Sequence, residues 1–91
     1  MLMNKTSNRT LSVLFENSPD ALVRIIGLLS RRDIAVNRMS LDRAEGSPLY
    51  MLTVEVVVSG HEWKMLVDRL CKLIPVIQAG EPGRLGGEEP Y

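Results

Sequence analysis

The sequence predicts an α+β sandwich, a four-stranded antiparallel sheet with two helices on one face. Three observations predict it. Thr10 to Glu16 and Leu49 to Val58 alternate their side chains with the period of a strand that is buried on one face. Each is followed within two residues by a serine that can cap a helix, and then by apolar residues at helical spacing. A further strand-like segment follows each helix, which gives the order β-α-β-β-α-β, the ferredoxin-like split βαβ unit.

The elements read as follows. In the first strand Leu11, Val13 and Phe15 share one face, and Ser12, Leu14 and Glu16 the other. Asn17-Ser18-Pro19-Asp20 then stops the strand and starts a helix. Ser18 is a good N-cap, Pro19 suits the first helical position, and Asp20 lies near the positive end of the helix dipole. The helix is expected from Pro19 to Arg31, with Leu22, Ile25, Ile26 and Leu29 as its buried stripe. Gly27 costs such a helix about 1 kcal/mol against alanine, so a close approach to another backbone is expected there. Arg31 and Arg32 meet the negative end of the dipole.

Ile34 to Leu41 reads as the second strand, with Ile34 and Val36 inward, and Asp42 to Pro48 as a turn. In the third strand Tyr50, Leu52, Val54, Val56 and Val58 share a face opposite Met51, Thr53, Glu55 and Val57. Ser59-Gly60-His61-Glu62 has capping-box spacing and opens a helix to Leu73, striped by Trp63, Leu66, Val67 and Leu70. Pro75 to Ala79 completes the sheet. Residues 1–9 read as a flexible leader and the Gly-, Pro- and Glu-rich residues 80–91 as a disordered tail, so the domain is expected to span 10–79. The face away from the helices would carry Leu14, Met51 and Val57, with Met39 and Leu41 as further candidates, an apolar content that calls for a partner.

Composition narrows the function. The chain has 45% apolar residues in 91, enough for one thin core that dimerisation would reinforce. Eleven basic and eleven acidic residues leave no excess charge to neutralise phosphates, which argues against a nucleic-acid binder. A lone cysteine, Cys71, excludes an internal disulfide, and with no secretory signal in the opening residues the expected address is the cytoplasm. Ile25–Leu29 and Val56–Val58 are far shorter than the roughly 20 residues of a membrane span.

Catalytic chemistry is hard to assemble. His61 is the only histidine and sits in a helix-start motif, where a surface residue is the plainer reading than a base. Cys71, near the end of an amphipathic helix, reads as a buried structural thiol rather than a nucleophile. No His/Cys grouping has metal-ligand spacing. The strand aromatics Phe15 and Tyr50 fall on the helix side, not on an open base-stacking face, and Trp63 reads as a core or edge residue. No catalytic residue and no metal ligand are therefore assigned.

The segment TLSVLFENSPDALVRIIGLLSRRDIAVNRMSL resembles the first half of an ACT domain, nearest to the regulatory (small) subunit of acetolactate synthase, of the short, single-domain kind. Glu16, Asn17, Ala21, Leu22, Arg24, Ile25, Gly27, Leu28, Ser30 and Arg32 carry the likeness, and LTVEVVV and LCKLIPVIQ are similar to later strands of that family. The resemblance implies a homodimer that binds and activates a thiamine-diphosphate-dependent catalytic large subunit in branched-chain amino-acid biosynthesis. It implies no cofactor in this chain, since the thiamine diphosphate and Mg²⁺ belong to the partner. It also implies an effector, an amino acid such as valine, held at the dimer interface near the first strand-to-helix turn. The effector-binding candidates are Asn17, Ser18, Asp20, Ala21, Leu22, Ala35 and Val36.

The sequence departs from that family's pattern at three places. Asp20 stands at the turn glycine, Asp33 at the glycine after Arg32, and Ala35 where valine-responsive members have asparagine. A carboxylate at position 20 would repel an effector's carboxylate from a helix end that otherwise attracts anions, so weak valine feedback is expected. Asp20 also reads simply as a favourable first-turn residue. Two other functions fit the same residues: a stand-alone ACT amino-acid-binding module serving another enzyme or a transcription factor, and a purely structural dimerisation domain.

Overall fold

The computed structural model describes residues 6–16 and 18–82. Its elements are β1 (Thr6–Glu16), α1 (Pro19–Arg31), β2 (Ala35–Arg43), β3 (Leu49–Ser59), α2 (Gly60–Cys71) and β4 (Val76–Gly80). The sheet order is β2-β3-β1-β4, antiparallel throughout. This is the expected βαββαβ sandwich with both helices on one face.

Both helix starts form as their sequences dictate. The Ser18 hydroxyl accepts from the Ala21 amide at 3.2 Å. At α2 the Ser59 hydroxyl accepts from the Glu62 amide at 3.1 Å, while the Glu62 carboxylate accepts from the Ser59 amide at 2.8 Å, a complete capping box. The core joins Leu11, Val13 and Phe15 of β1 with Leu52, Val54, Val56 and Val58 of β3. Over them lie Ala21, Ile25 and Leu29 of α1 and Trp63, Leu66 and Leu70 of α2.

The structure corrects several expectations. β1 begins at Thr6, inside the expected leader, because Thr6 to Arg9 continue the ladder with β3 up to Ser59. Arg9 is held there: its guanidinium lies 4.3 Å from the Trp63 ring centroid and pairs with Glu81 at 2.7 Å. Gly80 ends β4 and Glu81 is tied back, so both belong to the fold; the rest of the expected leader and tail, residues 1–5 and 83–91, lies outside the described residues but for residue 82. Gly27 is not a close approach, for a Cβ built there would meet nothing within 4 Å. Cys71 is exposed rather than buried. It follows Leu70 by one residue, and a 100° step carries it off the buried stripe.

The largest correction concerns β2. Its pairing with β3 slips between Val36 and Arg38, and Asn37 is the extra residue of a bulge. The slip sets Met39 opposite Val54 and Leu41 opposite Leu52, on the helix side of the sheet and not on the open side. Val36, opposite Val56, also faces the helix side but is not inward. β2 is an edge strand that the helices do not reach, so Val36, Met39 and Leu41 are 39%, 42% and 42% exposed. Ile26, expected in the buried stripe of α1, is 37% exposed.

Candidate effector turn

The first strand-to-helix turn is built by two devices. Phe15 anchors the end of β1 in the core, beside the Tyr50 ring at 6.2 Å between centroids. Ser18 then turns the chain with an extended backbone, φ −150° and ψ 148°, and caps α1. Asp20 is exposed, and its carboxylate lies 3.3 Å from the Arg24 guanidinium one turn on. Ala21 is fully buried and belongs to the core, while Leu22 is half-buried against it. Asn17 lies outside the described residues.

The anion-binding capacity of this helix end is small. Pro19 has no amide hydrogen, and the Ala21 amide is engaged by both the hydroxyl and the carbonyl of Ser18. Of these first three helical positions, Asp20 alone keeps an uncommitted amide among the described residues. Its own carboxylate stands beside it.

Beside the turn lies a hollow of about 400 Å³ lined by Glu16, Arg43, Pro48 and Leu49. Arg43 supplies a guanidinium there, 5.7 Å from the Tyr50 ring centroid. Sequence reasoning missed Arg43 because it took Asp42 to Pro48 for a turn; in the structure β2 runs on through Arg43. The charge of Arg43 next to a strand end was the available signal.

Ala35 and Val36 are elsewhere. Ala35 pairs with Val57, and Val57 pairs with Asn8 of β1. Asn8 precedes Glu16 by eight residues of strand, so one protomer holds Ala35 about 27 Å from the turn. Within one protomer the structure therefore brings Ser18, Asp20, Ala21 and Leu22 together and sets Ala35 and Val36 apart from them.

Among the described residues no group of three or more His, Cys, Asp or Glu side chains has the geometry to hold a metal ion. None of their helices is long and apolar enough to cross a membrane.

Comparison with known proteins bears on the whole fold. The chain is 32% identical over 80 residues to the acetolactate synthase small subunit of Mycolicibacterium smegmatis, covering 88% of this chain and 47% of that protein. It is 32% identical over 76 residues to the isozyme 3 small subunit of Escherichia coli, covering 84% of this chain and 47% of that one. The chain thus spans about half the length of the curated relatives it matches. Among solved structures, the acetolactate synthase small subunit of Thermotoga maritima superposes with a TM-score of 0.73 at 19% identity, over 81% of this chain and 46% of that one. The ACT domain from GTP pyrophosphokinase of Chlorobium tepidum superposes with a TM-score of 0.70 at 16% identity, over 84% and 97%. A model of the ACT domain matches residues 17–79, from the first turn through the last strand, and the chain belongs to the ACT-domain family.

Proposed function

We propose that this chain is a regulatory subunit without catalytic residues of its own, which binds and activates the catalytic large subunit of an acetolactate synthase in branched-chain amino-acid biosynthesis. The observation that carries the reading is the 32% identity with acetolactate synthase small subunits across most of the chain. Thiamine diphosphate and Mg²⁺ would act in the catalytic partner. The chain would work in the cytoplasm as a homodimer joined through its ACT domain.

Valine feedback is weak in this reading. The turn offers little to a carboxylate, and the Asp20 side chain adds negative charge where one would sit. Co-purification with a thiamine-diphosphate-dependent large subunit, followed by an activity assay with and without valine, tests both parts. Capture with activation and little valine inhibition is expected. Failure to bind or activate any such subunit removes the reading, and strong inhibition by micromolar valine removes its second part.

The likeness of the fold to an ACT domain from a GTP pyrophosphokinase and to the C-terminal domain of an MgtC protein favours one other reading. There the chain is a stand-alone sensing module that serves a different enzyme. Activation of an unrelated captured enzyme, with none of acetolactate synthase, would select it.

A further inference from the structure

We infer that the large subunit of the proposed function docks in a cationic groove with an apolar floor between α1 and α2, through an acidic, amphipathic segment of its own. The inference rests on that proposed function and names the face of this chain that meets the partner.

Two hollows of about 430 Å³ each open on the solvent side of the helix pair. Leu28 of α1 and Leu73, just past α2, line both, so the hollows form one continuous groove. Its floor is apolar. Leu28 and Leu73 are only half-buried, and Val23 beside them is 69% exposed. Ile74, the residue after Leu73, is 89% exposed. Val23 and Ile74 are the two most exposed large apolar side chains among the described residues. Apolar surface gathered in this way and rimmed by charge marks a protein contact.

Gly27 lines the same groove, and nothing else in the chain accounts for it. It lies inside α1, where only proline is a poorer residue than glycine. Its backbone is ordinary helix, so no left-handed turn calls for it. A Cβ there would meet no atom of this chain within 4 Å. The missing side chain leaves room for atoms that arrive from outside, in the wall of the groove.

Charge selects the occupant. Arg24, Arg31, Arg69 and Lys72 line the groove, with Asp68 the one acid among its lining residues. Arg24 and Lys72 pair with Asp20 and Asp68 one turn away on their own helices, and both pairs are largely exposed and weak. Arg31 and Arg69 make no ion pair with a described residue. Each lies in the last turn of its helix, where the dipole favours a cation, but only the packing of α1 on α2 brings both to one groove. A second copy laid face to face here would set cations against cations. A segment with an apolar ridge and carboxylates along its flanks answers both features. The ridge fills the hollows over Gly27, Leu28 and Leu73, and the carboxylates meet Arg31 and Arg69.

Binding and activation of the purified large subunit by the full chain test the inference. Gly27→Leu fills the groove at a helical position with open space, and Arg31→Glu and Arg69→Glu reverse its unpaired charges. Each should weaken binding about tenfold or more, with circular dichroism showing every variant as folded as the unaltered chain. A second measurement locates the contact directly. In a Cys71→Ser background, a photo-crosslinker on Val23→Cys should join the chain to the large subunit. The same probe on Thr53→Cys, on the open side of the sheet, should not. Folded groove variants that bind and activate like the original would overturn the inference, and so would cross-linking from Thr53→Cys alone. Variants that lose self-association but keep the large subunit would give the groove to a second copy and overturn it too. A chain that binds no large subunit removes the proposed function and this inference with it, whereas undiminished binding by the groove variants strikes the inference alone.

Discussion

At Asp33 the backbone takes φ +59°, in the left-handed region that favours glycine. The hydrogen bonds explain why. The Asp33 amide donates to the Ser30 carbonyl at 3.1 Å and the Ile34 amide to the Leu29 carbonyl at 3.2 Å, which closes the end of α1 and packs Ile34 on the core. Helices end this way with glycine at the left-handed position, which is the residue the resemblance leads one to expect there. Aspartate tolerates the conformation at some cost. Asp33→Gly is therefore expected to raise stability by about 0.5–1 kcal/mol, and Asp33→Val to lower it by about 1–2 kcal/mol, as read by urea unfolding. Gly27 gives the complementary case. It lies within α1 with open space at its Cβ position, so Gly27→Ala should stabilise the chain by about 0.5–1 kcal/mol. A destabilised Gly27→Ala chain in the same denaturation assay would mean that close packing governs the site after all.

The elements owe their placement to ends as much as to faces. β3 runs straight into α2 with no loop between them, and the capping box at Ser59 makes that junction. Ser59 is itself buried, so losing its hydroxyl leaves the Glu62 amide without its partner. Ser59→Ala is expected to cost about 1–2 kcal/mol, visible as a lower midpoint in thermal unfolding followed by circular dichroism. At the other edge of the sheet, β4 is short and is tied down by the Arg9–Glu81 pair and by Arg9 on Trp63. The ion pair is partly exposed and worth little by itself. The stacking of Arg9 on a buried tryptophan is the larger contribution, and it also keeps the first residues of β1 in place.

At the scale of the whole molecule, the described residues share one core, the thin apolar layer between helices and sheet. A domain of this size has a stability on the order of 5–10 kcal/mol. Leu70→Ala, at a fully buried position between α2 and the sheet, should cost about 2–5 kcal/mol, a large share of that stability, read as a lower urea midpoint. Association of two copies, as the proposed function has it, would add stability by mass action. The melting temperature of the unaltered chain is thus expected to rise with protein concentration. Concentration-independent melting of the unaltered chain would argue that the isolated domain suffices.

The sequence by itself determined the element order, both caps and the helix-facing residues of β1 and β3, because those depend on local spacing and side-chain chemistry. Pro19 to Arg31 and the capping box at Ser59 were legible to the residue for that reason. The turn holding Ser18, Asp20, Ala21 and Leu22 was legible too. What only the tertiary structure decided concerns partners distant in the chain. The bulge at Asn37 reverses the face of every later residue in β2; the adjacent polar pair Asn37-Arg38 breaks the alternation in the sequence, but only pairing with β3 fixes the slip. The edge position of β2 turned Val36, Met39 and Leu41 from expected core or open-face residues into an uncovered apolar stripe on the helix side. Within one protomer the register also sets Ala35 and Val36 at the far end of the sheet from the Ser18 turn. Distance along a strand is legible in a sequence; which strand lies beside it, and in what register, is decided only when the sheet forms.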